Sequence, residues 1–393
     1  GANDVANSMA TVVSSRALTL KRAVLIAAFF EFAGAFLVGS HVTNTVRKGI
    51  IDPMFFANEP MLLAYGMFAA LIAAALFQHA ATFYGFPVST THAIVGSLFG
   101  FGLIGAGPTS VNWTKIGVIS SGWIISPLLG AIVAYTLFQL IRMYILAKEN
   151  PYRATIKAAP FLVFVQFTII VLSVIYKGLK NLHLDFPFSQ ALLISVSVGI
   201  LCACLTWELL RRDRSQVDKS EQYVKVEKVF ATLQVFTACY IAFAHGANDV
   251  ANAIGPVAAI FSILKTNTII MKIAVPPWIL IMGGIGIVVG LSTYGFKVIE
   301  TIGKKITEIT PSRGFAAEFA TATTVLVFSK LGLPISTTHT MVGSVIGVGF
   351  ARGIATLNLR VIRNIVTSWC FTIPIAAVLT VIIYRIILLI TSL

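Results

Sequence analysis

The chain has 393 residues, 57% hydrophobic and only 11% charged, with 29 Lys and Arg against 15 Asp and Glu for a net charge of +14. A soluble fold needs a polar outer layer and carries roughly 25% charged residues, so soluble, disordered, collagen-like, coiled-coil and nucleic-acid-binding classes fall away. What fits is an all-α polytopic membrane protein embedded in a lipid bilayer, with its surplus of basic residues between apolar runs, as loops that face anionic lipid.

A helix needs about 20 apolar residues to cross the hydrocarbon core. Candidate runs lie at 23–46, 61–83, 114–146, 160–176, 189–210, 228–245, 273–297 and 361–390. Shorter apolar segments at 5–15, 90–106, 250–264, 315–330 and 337–352 are interrupted by Gly, Pro, Asn and Asp. Irregular backbone at membrane depth is tolerated only where protein covers it or a cavity meets it, so these segments predict broken helices and re-entrant helical hairpins. Cys202, Cys204, Cys239 and Cys370 sit in apolar stretches without zinc or redox spacing and read as packing.

Residues 1–7 read GANDVAN, and so do 246–252. Residues 85–97 read GFPVSTTHAIVGS, 332–344 read GLPISTTHTMVGS, and Asn112 and Trp123 recur as Asn358 and Trp369. This self-similarity predicts two homologous transmembrane repeats, 1–146 and 229–393, joined by a segment 147–228 with two transmembrane helices and basic loops. The second GANDVAN follows the apolar run 229–245, so a helix of comparable length is expected before Gly1. Loop basicity, with Arg142, Lys148, Arg153 and Lys157 in one loop and six basic residues in 211–228 against Lys177 and Lys180 between them, puts the two richer loops in the cytoplasm. Basic residues flank 114–146 and 361–390 in opposite senses, which predicts two inverted-topology repeats, the build of secondary transporters with sites at the midplane.

The acids away from loops and helix ends are Asp4, Asp249, Glu31 and Glu318. An ionised group at bilayer depth costs roughly 3 kcal/mol or more, so such groups persist at a cavity or beside a cation. Asp4 and Asp249 are equivalent in the repeats, and Asn3 with Asn7, and Asn248 with Asn252, share a helix face by their spacing. Gly1 and Gly246 permit a close backbone approach or a bend. Carboxylate, amide and carbonyl oxygens suit an alkali cation; Asn-mediated helix packing is the plainer reading. Glu31 and Glu318 do not match each other across the repeats, which points to a task one half performs alone, such as an extra cation, a proton or a gate. A glutamate bonded to backbone or Ser/Thr is the alternative, and Arg313 reads as a solvated loop charge ahead of a partner for Glu318.

In Ser89-Thr90-Thr91-His92 and Ser336-Thr337-Thr338-His339, Pro87 or Pro334 ends one segment and Ser or Thr caps the next helix. That leaves unpaired N–H groups and hydroxyls at a positive helix end, an anion site. Two copies in opposed repeats would aim two such ends at one point. His92 and His339 read as supporting struts or substrate contacts. His41, His79 and His245 carry a weaker signal, and His183 reads as a loop residue. Trp113, Trp278 and Trp369 read as interface anchors or packing.

The paired GANDVAN and P-x-S-T-T-H-x-x-V-G-S elements resemble the inorganic phosphate transporter (PiT) family, sodium- or proton-coupled phosphate symporters. The resemblance implies import of inorganic phosphate with a cation, a homodimer in the cell membrane, and functional roles for Asp4, Asp249, Glu31, Glu318 and both Ser-Thr-Thr runs. On this reading the chain is not an enzyme and needs no cofactor beyond Na+ as coupling ion. Ser89, Thr90, Thr91, Ser336, Thr337, Thr338, Asn7 and Asn252 hold phosphate. Asp4, Asn3, Asp249, Asn248, Ser89, Ser336, Glu31 and Glu318 hold sodium. Phosphate keeps a proton at neutral pH and can donate it to Asp4 or Asp249, whereas sulfate cannot. The alternatives are proton-coupled, metal-phosphate or sulfate symport, a membrane-embedded phosphoester enzyme, and a channel.

Overall fold

The computed structural model describes residues 1–178, 186–212, 218, 220–270, 275–330 and 335–391, and within them the side chains other than those of 38–49, 176–178 and 329–330. Lys180, His183, Arg214, Lys219 and Pro334, and the side chains of His41 and Lys177, therefore lie outside the described residues. The described chain is helical apart from loops and one antiparallel bridge between Ile51 and Val111. The helices are α1 (Val5–Ser14), α2 (Leu20–Gly49), α3 (Pro60–Phe83), α4 (Thr90–Gly105), α5 (Trp113–Ile141), α6 (Pro151–Gly178) and α7 (Phe188–Arg211). They continue as α8 (Gln222–Thr266), α9 (Pro277–Leu291), α10 (Phe296–Glu300), α11 (Pro311–Lys330), α12 (Thr337–Arg352) and α13 (Leu359–Ile390). Among the described residues, six helices are long and apolar enough to cross a bilayer, and α9 with Phe296–Lys305 makes a seventh span if the bent pair counts as one.

Four helices start at side-chain caps that match between the repeats. Asn112 and Asn358, equivalent in the repeats, accept from the backbone N–H of Lys115 and Val361 and open α5 and α13. Ser89 and Ser336 open α4 and α12 in the same way, through the N–H of His92 at 3.3 Å and His339 at 3.2 Å. At 16 residues, α4 and α12 extend only about 24 Å and fall short of a bilayer crossing. They fold back on α3 and α11 as hairpins whose tips are buried in protein.

The repeats are interlocked. Helix α13 packs on α4, and α5 packs on α12. A β-carbon at Gly100 would sit 2.5 Å from the Ala377 carbonyl oxygen, and one at Gly347 would meet the equivalent carbonyl of Ala131. The packing divides the molecule into two groups of helices. One holds both hairpins with α5 and α13; the other holds α1, α2, α8, α9 and α10, with α6 against α8 and α7 against α6. The groups meet chiefly where α8 lies along α3 and α11. Each group draws on both repeats.

Two expectations change. The segment 250–264 is not a separate short helix, because α8 runs unbroken through the second GANDVAN. Gly246 there serves close approach, not a bend: a β-carbon on it would run into the Glu31 carbonyl oxygen of α2. The run 273–297 instead is broken, with α9 and the segment from Phe296 bent by 61° about 292–295.

Candidate functional site

The repeated motifs converge. Asn7 Nδ2 of α1 donates to Thr338 Oγ1 of α12 at 2.9 Å, and Asn252 Nδ2 of α8 donates to Thr91 Oγ1 of α4 at 3.3 Å. These are equivalent contacts, each joining one repeat's GANDVAN to the other repeat's hydroxyl-bearing tip. Thr337 Oγ1 donates to Asp249 Oδ2 at 3.3 Å, and Asn248 Nδ2 donates to Asp249 Oδ1 at 3.0 Å. Asn3 instead clamps the first hairpin turn: its amide donates to Phe86 O and Thr82 Oγ1, and its carbonyl accepts from Val88 N–H.

A cavity of about 540 Å³ opens at this convergence, lined by Asn3, Asp4, Thr90, His245, Asp249 and Asn252 at one end. Its other walls are the apolar faces of α3 and α9, including Leu71, Met282 and Ile287. Thr90 brings the N-terminus of α4 to the cavity wall. Ser89 and Ser336 accept in their caps, and each hydroxyl proton remains to donate. Asn7 Oδ1 is buried and meets no partner among the described residues, which leaves an acceptor beside the tips.

The acids gather around one imidazole. His245 Nε2 lies 2.5 Å from Asp249 Oδ2 and 3.8 Å from Asp4 Oδ1, while Nδ1 lies 3.3 Å from Glu31 Oε2. Ligand atoms of Asp4, His245 and Asp249 all lie within 4.8 Å of one another, close enough to share a cation. An imidazole carrying both protons can serve Glu31 and Asp249 together; one carrying a single proton leaves a carboxylate for a metal ion. Buried carboxylates at this density need such compensation.

Sequence reasoning ranked His245 too low. The signal was present, since His245 stands four residues before Asp249 and so shares its helix face. Glu31 also accepts from Ser8 Oγ at 3.2 Å. Glu318 is fully buried, 0% exposed, and accepts from Thr11 Oγ1, from Thr237 Oγ1 at 2.5 Å and from Gln234 Nε2 at 3.1 Å. These partners come from α1 and α8, and no sequence motif singles them out. Arg313 pairs with Glu308 at 3.2 Å.

Backbone contacts give the register between the repeats at the two unmatched glutamates. Gly246 abuts the Glu31 carbonyl, and its equivalent Gly1 abuts the carbonyl of Ile287. A β-carbon at Gly34 would lie 2.9 Å from Ala247 N, and one at Gly290 the same distance from the equivalent Ala2 N. Glu31 thus corresponds to Ile287. In the ungapped register of the hairpins, Glu318 corresponds to Leu71. Both counterparts line the apolar walls of the cavity.

His92 and His339, both 2% exposed, do not line the cavity; they stack with Trp123 and Trp369 behind the tips. Trp369 is packing, whereas Trp113 and Trp278 are about half exposed.

Comparisons with other proteins give the family. The model of a family described as the phosphate transporter family matches residues 1–380. A Pyrococcus abyssi protein named as a candidate phosphate permease is 46% identical over 98% of this chain and 94% of its own length. Inorganic phosphate transporter 2-1, chloroplastic, of Arabidopsis thaliana is 44% identical over 97% of this chain and 68% of its own length. A solved structure titled "The sodium-dependent phosphate transporter" superposes with TM-score 0.89 at 43% identity, covering 99% of this chain and 95% of that one.

Proposed function

Because the chain belongs to the phosphate transporter family, we propose that it imports inorganic phosphate by symport with sodium ions, holding the anion between two inverted repeats. It is a transporter and not an enzyme, as its family is. The observation that carries the reading is the crossed pair Asn7–Thr338 and Asn252–Thr91, which supports one shared anion site built from both hairpin tips. Thr90, Thr91, Thr337 and Thr338 with the N-termini of α4 and α12 supply donors to phosphate without a fixed positive charge. Ser89 and Ser336 lend their hydroxyl protons. Asp4, Asp249 and Glu31 with Asn248 supply oxygens for sodium beside it, and Glu318 with its hydroxyl and amide partners is a further cation position.

Sodium neutralises the charge that would otherwise keep a dianion out of the midplane. The membrane potential contributes roughly 2.3 kcal/mol per charge per 100 mV, and it drives import of HPO₄²⁻ only when more than two cations accompany it. The neighbour whose title names sodium dependence favours sodium as that cation. The two helix groups that meet at α8 are the bodies whose relative motion alternates access, with the site between them. A homodimer in the cell membrane, its basic loops in the cytoplasm, completes the reading.

Proton coupling is a second reading, favoured by the place of His245 among Asp4, Glu31 and Asp249. The test is uptake of labelled phosphate into proteoliposomes with sodium replaced by choline. Loss of uptake is the expected result. Full uptake without sodium, driven by an imposed pH gradient, would give the coupling to protons.

A further inference from the structure

Behind the two Ser-Thr-Thr tips lies a stack of four rings. His92 packs on Trp123 with centroids 3.8 Å apart, and His339 on Trp369 at 3.7 Å. The two imidazoles meet edge to face at 4.3 Å. The order Trp123, His92, His339, Trp369 runs from one repeat into the other, with the first pair tilted by 44° and the last stacked at 19°. Two hydrogen bonds cross the repeats at the same level: Trp369 Nε1 donates to Pro87 O at 2.9 Å, and His339 Nδ1 lies 3.3 Å from Trp123 O.

Three facts separate this stack from ordinary core filling. First, both ring nitrogens of His92 and Nε2 of His339 are buried without a partner among the described residues. An unpaired buried polar group is destabilising, and hydrocarbon side chains could fill the same volume without it. Second, His92 and His339 sit in the first turns of α4 and α12, and their own N–H groups receive the Ser89 and Ser336 caps. A shift of either ring shifts the tip that carries the hydroxyls. Third, two helix N-termini directed at one site repel each other through their partial positive charges, so their separation needs a fixed spacer when no anion lies between them.

We propose that His92 and His339, clamped between Trp123 and Trp369, are positioning residues that set the spacing of the two tips and so fit the anion slot to phosphate. This rests on the reading of the tips as a phosphate site. The stack acts through the tips and does not touch the anion. Its equivalence across the repeats also keeps the two halves of the slot together in one helix group while the other group moves.

The experiment compares wild type with the double variant His92→Phe/His339→Phe, which keeps four rings and removes the imidazole nitrogens, in proteoliposomes at saturating sodium. We expect KM for phosphate to rise about tenfold, with Vmax and the sodium half-saturation each within twofold. Inhibition by arsenate, a larger protonated tetrahedral oxyanion, should strengthen relative to phosphate by about threefold or more. In the wild type, phosphate should also change the tryptophan emission, and Trp123→Phe/Trp369→Phe should abolish that change. A folded double His variant with wild-type KM and unaltered arsenate preference overturns the proposal. If that variant does not fold, Trp369→Phe, which loses the bond to Pro87 O and part of the ring face on His339, decides: a KM raised about threefold supports the spacer, and an unchanged KM overturns it. Absence of phosphate uptake by the wild type would instead remove the underlying reading of the site, whatever the variants do.

Discussion

Asn7 of the first GANDVAN donates to Thr338, the third hydroxyl residue of the second hairpin tip, at 2.9 Å across the repeat boundary. The same hydroxyl donates to Val88 O at 3.4 Å, so two residues of the first repeat hold the threonine of the second tip in place. Asn7→Ala should therefore raise KM for phosphate about tenfold, the loss of one neutral hydrogen bond plus the orphaned hydroxyl. By the equivalence of the repeats, Asn252→Ala should act to a similar extent through Thr91. On the reading that both tips hold one anion, the double variant should depart from additivity. Initial rates of labelled phosphate uptake over a concentration series check all three.

Asp4 and Asp249 share His245 between them, yet they are not interchangeable with amides. Asp4→Asn or Asp249→Asn keeps the shape and removes a charge from a buried ionic cluster, an effect of about 3 kcal/mol or more. Coupled uptake should fall at least about a hundredfold while the protein still purifies as a monodisperse species. Normal uptake by either variant would remove that aspartate from the cation site. Flux measured at several sodium concentrations shows whether added sodium rescues the residual rate.

Much of this site was legible because its parts are duplicated. The repeated tetrad gave the caps on α4 and α12, and the repeated Asp and Asn gave the polar elements that face them. What escaped depends on contacts between distant segments. Whether Gly246 bends α8 or admits α2 is settled by the Glu31 carbonyl beside it, which no local pattern records. Asn3 and Asn248 look alike in sequence, but Asn3 is occupied by the turn at Thr82, Phe86 and Val88. Asn248 turns to Asp249 instead. His245 was legible in spacing and was outweighed by the rule that a lone histidine in an apolar helix is a strut.

The close approach at Gly246 gives a stability prediction with an internal control. A methyl group there has backbone on its far side, and backbone cannot swing away. Gly246→Ala should lose about 3 kcal/mol, the upper end for overpacking, and disturb Glu31 and His245 with it. Gly117→Ala on α5, where an added β-carbon meets nothing within 4 Å, should leave stability unchanged or raise it by up to about 1 kcal/mol, the helix-propensity gain of Ala over Gly. Thermal unfolding in detergent measures both, and equal midpoints for the two variants would contradict the packing described here.

Glu318 presents the sharpest asymmetry between the repeats, since the equivalent position is Leu71. Its two carboxylate oxygens take three donors: Thr11, Thr237 and Gln234. In Glu318→Gln one oxygen becomes an NH₂ group, which can donate to the Thr237 hydroxyl while that hydroxyl donates to Gln234 O, so charge-assisted bonds give way to weaker neutral ones. The expected loss is about 2 kcal/mol of stability, seen as a lowered Tm, together with loss of coupled uptake. Glu318→Gln/Gln234→Glu exchanges the carboxylate and the amide between contacting residues. It should recover the Tm in part, because a carboxylate again accepts charge-assisted bonds within the cluster. Uptake should not recover, because the charge then sits on α8 and no longer on the hairpin helix α11. Recovery of both would mean that the negative charge matters and its place in the hairpin does not.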